Sequence, residues 1–257
     1  MTMNTGKPNE NELLTSAERA RLLTFLGFGN AKAPVVFIGM EEGLTETLDY
    51  PLIAQLKDRA RLATVADLRD SRVHPGKYLM GSRPPIQSTW NVLIRVLLAL
   101  EENRRPTNDQ VRFYQRDLLG TSGGMSLLLE FMPLPARHID YWSPYDEYFP
   151  EFRNRNAYWQ AIAPRRTVQI REHLSYGPDL VIAYGSGYWP QYAELFPSIE
   201  RWQSRGVFAF GRAGGTAVLM MPHPTARQMN GNREALCELS LELLGPASDT
   251  WTTWARG

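Results

Sequence analysis

Pro34-Val35-Val36-Phe37-Ile38-Gly39-Met40-Glu41-Glu42-Gly43 is the stretch whose reading decides the fold. Its first half is an unbroken apolar run rich in β-branched residues. That pattern predicts a strand buried on both faces, as strands of parallel sheets are. Its second half puts two carboxylates between glycines, in a loop at the strand's carboxyl end. Three more segments repeat the pattern. Residues 125–131 form an apolar run that enters Met132-Pro133-Leu134-Pro135, which cannot continue a central strand. Residues 180–184 form a third strand, and residues 217–221 a fourth, ending in Pro222-His223-Pro224. Residues 207–210 add a short extra strand.

Helical patterns fall between the strands. One begins near Ser16 and Glu18, buries Leu22, Leu23 and Leu26, and stops at Gly27 and Gly29. Others cover residues 52–68, 90–100 (capped by Ser88 or Thr89), 164–174 and 232–244, with an irregular stretch from His74-Pro75-Gly76 to Pro85. Strands alternating with helices predict one α/β domain over residues 1–257: three layers, α/β/α, around a central four-stranded parallel sheet, with residues 1–10 frayed. Ligands of such sheets bind at the carboxyl ends of the strands. The three least ordinary peptides, Gly39–Gly43, Glu130–Pro135 and His223–Arg227, stand there and are expected to share one cleft.

Composition narrows the classes. The chain has 257 residues, 43% hydrophobic and 21% charged, which predicts an ordinary globular protein. No apolar run reaches membrane-spanning length, and the start, MTMNTGKPNENELL, lacks the apolar core of a signal peptide, so the expectation is a cytoplasmic protein with no membrane partner. The net charge is +1, so any nucleic-acid contact must be local. The single cysteine, Cys237, sits in a helical apolar pattern and reads as a small buried residue. One cysteine permits no intrachain disulfide, no cysteine-based zinc site and no four-cysteine iron–sulfur cluster.

Each motif alone has a plain reading: solvated loop glutamates at 41 and 42, and a structural histidine at 223. Each also has a chemical one. A loop carboxylate can orient or activate water. A histidine whose chain is fixed by Pro224 can donate to charge developing on a leaving group. Thr225 and nearby amides can hold a phosphate.

Taken in order, the three peptides resemble the uracil-DNA glycosylase superfamily. They are nearest to the single-strand-selective monofunctional uracil-DNA glycosylases, which carry Gly-Met-Asn-Pro-Gly, Asn-Leu-Cys-Pro-Leu and His-Pro-Ser-Pro-Arg loops. This sequence has Gly39-Met40-Glu41-Glu42-Gly43, Glu130-Phe131-Met132-Pro133-Leu134 and His223-Pro224-Thr225-Ala226-Arg227, spread over about 190 residues. The resemblance implies a uracil-DNA glycosylase-like fold and a monofunctional enzyme. Such an enzyme flips a base from DNA, hydrolyses its glycosidic bond without metal or other cofactor, and acts as a monomer. Glu41 matches the residue that positions the hydrolytic water. Glu42 replaces a proline, which leaves two candidate glutamates. His223 matches the histidine that stabilises the departing base. Thr225 matches a backbone-contacting serine, and Arg227 and Gln228 match the wedge loop. Met40, Glu130 and Tyr78 are the candidate base-recognition residues, Tyr78 as a stacking face or as ordinary packing. Arg83, Arg165, Arg166 and Arg171 contact phosphates or form solvated surface.

Glu130 stands where the family has an asparagine. An ionised carboxylate only accepts hydrogen bonds, so it opposes uracil O4 and suits the amine of cytosine, whose N3 then needs a proton from a protonated Glu130 or a neighbour. Alternatively Glu130 is a structural carboxylate. Because ordinary cytosine must be spared, the expected base is a modified cytosine, with phage DNA as a candidate source and defence as a role. The aromatic segment from Tyr141 to Phe149 widens the pocket or packs as a satellite cluster. The other readings are a glycosylase for uracil or another deaminated base, and a binding protein that kept the fold without the chemistry.

Overall fold

The computed structural model describes residues 13–44, 50–71, 78–102, 105–138 and 140–244. The frayed terminus and the His74-Pro75-Gly76 stretch lie outside the described residues. The strands are β1 (Gly27–Gly29), β2 (Val35–Gly39), β3 (Val65–Ala66), β4 (Ser126–Glu130), β5 (Leu180–Tyr184), β6 (Gln203–Arg205), β7 (Phe208–Ala213) and β8 (Thr216–Met221). They form one sheet in the order β3-β1-β4-β2-β5-β8-β7-β6.

The fold is α/β, but the sheet has eight strands rather than four. β4, β2, β5 and β8 are neighbours and mutually parallel, and they are the four expected from the sequence. The additions lie outside them. β1 pairs antiparallel with β4, and β3 parallel with β1. β7 and β6 extend the far side as antiparallel hairpins. The β7–β8 turn is the two-residue Gly214-Gly215, with Gly214 at φ +60°, where glycine carries no steric penalty.

Helices cover both faces. On one lie α1 (Ser16–Thr24), α2 (Leu52–Ala60), the short α5 (Tyr145–Tyr148), α6 (Arg155–His173) and α7 (Trp189–Glu194). They enclose Val36, Ile38, Leu127, Leu129, Val181 and Val218. On the other lie α3 (Ser88–Glu102), α4 (Asn108–Asp117) and α8 (Arg233–Leu244). They enclose Val35, Phe37, Leu128, Ile182, Leu219 and Met221. Alternate residues of each central strand thus feed opposite cores, as the pleat requires.

Several expected boundaries shift. The first helix ends at Thr24, and Gly27-Phe28-Gly29 is a strand instead of a stop. The 52–68 pattern holds a helix only to Ala60. Neither Ser88 nor Thr89 caps α3: the Gln87 side chain accepts from the Trp90 amide at 2.6 Å. α6 starts nine residues before Pro164, at an Asn154 cap, and carries that proline inside it. α4, α5 and α7 are absent from the sequence reading altogether.

Candidate active site

The carboxyl ends of β4, β2, β5 and β8 open onto a cavity of about 390 Å³ lined by Glu41, Glu42, Glu130, Tyr184 and His223, with Phe28, Tyr78 and Trp90 as aromatic wall. Alternation explains the convergence. Glu130 follows Leu128, Tyr184 follows Ile182, and His223 follows Met221, each continuing the row that faces α3 and α8. Gln87 and Thr89, at the start of α3, close that side.

Each loop glutamate has its own arginine. Arg155, the first residue of α6, donates Nη2 to Glu41 Oε1 at 2.6 Å and also contacts Oε2. Burial holds the Glu41 carboxyl above its ordinary value, opposed by Arg155 and by the Trp159 side chain. Arg59 of α2 donates to Glu42 Oε2. Arg59 is almost fully buried, and its guanidinium lies 5.0 Å from the Phe25 ring centroid and 5.8 Å from that of Phe28. This arrangement holds the Glu42 carboxylate and the Phe28 wall to one cation.

Glu130 differs from both in having no arginine hydrogen-bonded to its carboxyl group. Its Oε2 is buried without a hydrogen-bond partner. Burial, then the negative charge of Glu42, push its carboxyl well above the carboxylate range, against weaker opposition from Arg59 and Arg166. The shift favours the protonated carboxyl, which has one donor and one acceptor. Gly39 is required beside it: a Cβ there would lie 2.4 Å from Glu130 Oε2 and 2.5 Å from the Tyr184 hydroxyl.

His223 stands at the rim, its ring edge-on to Tyr184 with centroids 5.8 Å apart. The Thr225 backbone N–H donates to Nδ1 at 3.3 Å, and the Thr225 hydroxyl lies 2.8 Å from the same nitrogen. Nδ1 is thus the acceptor, which places the hydrogen of the neutral ring on Nε2. Partial burial lowers the His223 pKa below its ordinary value, so the ring is neutral at pH 7. The hydroxyl and backbone amide of Thr225 are thus both engaged with His223 in this structure.

Other expected residues lie elsewhere. Met40 continues the Val36 and Ile38 row into the opposite core and does not line the cavity. Arg83 is exposed, 3.3 Å from Asp109, beside Arg112 and Arg116 in a separate surface depression. Arg166 is buried and donates to the carbonyls of Phe131 and Glu130 at 2.8 and 2.6 Å, which pins the end of β4. The aromatic segment is core: Trp142, Tyr145 and Phe149 pack with Phe152 and Tyr158 below the sheet. Arg227 and Gln228 form an exposed turn held by buried Met229, outside the cavity lining. Tyr78 does line the cavity, edge-on to Trp90.

Phe28, Trp90, Tyr184, Arg59 and Arg155 escape the sequence reading. Arg59 left a signal, as an arginine on the apolar stripe of Leu52, Leu56 and Ala60. Arg155 left none, being 114 residues from its partner. Among the described residues no three His, Cys, Asp or Glu side chains are grouped as a metal ion would need. No helix among them is long and apolar enough to cross a membrane. No protein-family model matches the chain, and no curated protein matches it significantly.

Proposed function

We propose that the protein is a monofunctional DNA glycosylase of the uracil-DNA glycosylase type, hydrolysing the glycosidic bond of a base flipped into the cavity. The observation that carries this reading is one cavity, at the carboxyl ends of four parallel strands, lined by three glutamates, an aromatic wall and a histidine whose Nε2 bears the hydrogen. Bond cleavage leaves a cationic sugar and an anionic base. An ionised Glu41, held by Arg155, stabilises the first and orients water toward it. His223 donates Nε2–H to the second without giving up a proton it would need to recover. Phe28 and Tyr78 offer faces for the base. At about 390 Å³ the cavity falls in the range of small-molecule sites, with room for a substituted pyrimidine. A modified cytosine, as in phage DNA, is the favoured base. A neutral Glu130 also matches the N3–H and O4 of uracil, and this supports a second reading as a glycosylase for deaminated bases.

The test is incubation with plain, uracil-containing and modified-cytosine DNA, followed by alkaline cleavage at abasic sites. Glu41→Gln and His223→Ala are expected to slow release by roughly 10²–10³ while DNA binding persists. Absence of abasic sites from every substrate, or full activity in both variants, overturns the proposal.

A further inference from the structure

Two arginines, Arg59 and Arg166, act electrostatically on Glu130, and neither forms a hydrogen bond or ion pair with its carboxyl group; the third arginine of the site, Arg155, serves Glu41. Arg59 donates to Glu42, and Arg155 donates to Glu41. Arg166 gives Nε and Nη2 to backbone carbonyls and Nη1 to Gln169 at 2.7 Å. Every nearby cation is thus engaged, while Glu130 keeps a buried oxygen without a hydrogen-bond partner. The remaining titratable groups that act electrostatically on Glu130 or share its cavity are the carboxylates of Glu41 and Glu42, the phenols of Tyr78, Tyr184 and Tyr192, and neutral His223. None supplies positive charge. A buried carboxylate without its own cation is costly to ionise, so the group keeps its proton. A neutral acid beside a bound base, in a wall whose other carboxylates are already paired, is a proton source.

We propose that Glu130 is a general acid that protonates the ring nitrogen beside the exocyclic amine of a cytosine-type base as that base leaves. The inference rests on the glycosylase reading above and names its substrate class. The C1′–N1 bond breaks and its electron pair stays with the base. The Glu130 hydroxyl proton passes to N3, so the base departs neutral and Glu130 remains as a carboxylate. Water adds its hydroxyl to C1′ and gives its proton to Glu41. Solvent then takes that proton and returns one to Glu130. Uracil already carries hydrogen on N3 and cannot use this route. Its anion relies on hydrogen-bond donation, without proton transfer to N3.

The experiment is single-turnover base release from pH 5 to 9. The duplexes carry uracil, cytosine, 5-hydroxymethylcytosine or glucosylated 5-hydroxymethylcytosine opposite guanine, and the proteins are wild type, Glu130→Gln and Glu130→Asp. Glutamine keeps a donor and an acceptor but has no proton to transfer. Wild type is expected to release a cytosine-type base with a rate that falls as pH rises. Glu130→Gln is expected to be slower on cytosine-type bases by roughly 10² at pH 6 and flat with pH. Glu130→Asp is expected to restore the pH dependence at a reduced rate, which separates proton transfer from loss of fold. If wild type frees cytosine-type bases and Glu130→Gln matches it with the same pH profile, the acid role falls and the glycosylase reading stands. Release of uracil alone has the same consequence. Release of no base from any duplex removes the glycosylase reading, and the acid role with it.

Discussion

At the scale of the residue, the site is governed by which polar groups have partners. Glu41 and Glu42 are adjacent in sequence and each is paired, yet Glu130 between the same walls is not. This difference carries a stability signature independent of catalysis. Folding raises the Glu130 pKa above its unfolded value near 4.5. Between those values the folded state binds more protons, so the stability tied to this group is full below about pH 4.5 and is lost as pH rises through the folded value. Glu130→Gln removes the titration. Its melting temperature relative to wild type should rise as pH increases above 4.5 and level off once Glu130 ionises in the folded chain, and a constant gap would show that Glu130 ionises as freely in the folded chain as in the unfolded one. His223 has the opposite sign, because its lowered pKa favours unfolding as pH falls, but it is common to both proteins and cancels. The identity of Glu41, Glu42, Glu130 and His223 as cavity residues was legible from their places after apolar strands. The partners were not, since hydrogen bonding between residues more than a hundred positions apart leaves no local pattern. Met40 was misplaced although the signal was present: the alternation of Val36 and Ile38 already sends it to the opposite core.

At the scale of the element, β2, β4, β5 and β8 were legible because each is a run of five or six residues buried from end to end or nearly so. β1, β3 and β6 are two or three residues long, too short to show a period, and the glycines of β1 look like punctuation. Those glycines answer to close approach. A Cβ on Gly27 would lie 1.9 Å from the Leu128 carbonyl oxygen, and Gly29 takes φ +134° with its own Cβ position 2.2 Å from the Ser126 carbonyl. β1 can therefore lie against β4 only as Gly-Phe-Gly, and that register places Phe28 in the cavity wall. Gly27→Ala must push β1 from β4. It is expected to cost about 2 kcal/mol or more in urea unfolding and to weaken base release together with stability. Gly123→Ala, where a Cβ meets nothing within 4 Å, is the control and should stay within about 0.5 kcal/mol. Equal effects from the two substitutions would remove close packing as the reason for Gly27.

At the scale of the whole molecule, the charge balance limits how DNA can be held. The sequence has 28 lysines and arginines against 27 acidic residues. Several of the arginines are engaged, some inside the fold and some in surface ion pairs. Arg59 and Arg155 serve the loop glutamates, Arg166 pins β4, Arg83 and Arg112 share Asp109, and Arg205 meets Glu242 at 2.6 Å. With these arginines engaged, a duplex docked on the cavity rim is expected to have fewer phosphates neutralised than in proteins that contact six to ten. Arg227 is one candidate: it is exposed, four residues past His223, and forms no ion pair with a described residue. Each neutralised phosphate adds about 0.9 to the slope of log affinity against log salt. The slope for a duplex measured by fluorescence anisotropy between 50 and 200 mM salt is expected to be shallow, roughly −3 or less in magnitude. Arg227→Ala should reduce it by about 1, weaken all sequences alike, and leave the rate of base release at saturating protein unchanged, because the residue stands outside the cavity. A wild-type slope near −7, or one that Arg227→Ala leaves intact, would place the DNA on a different and more basic surface than the rim of the His223 loop.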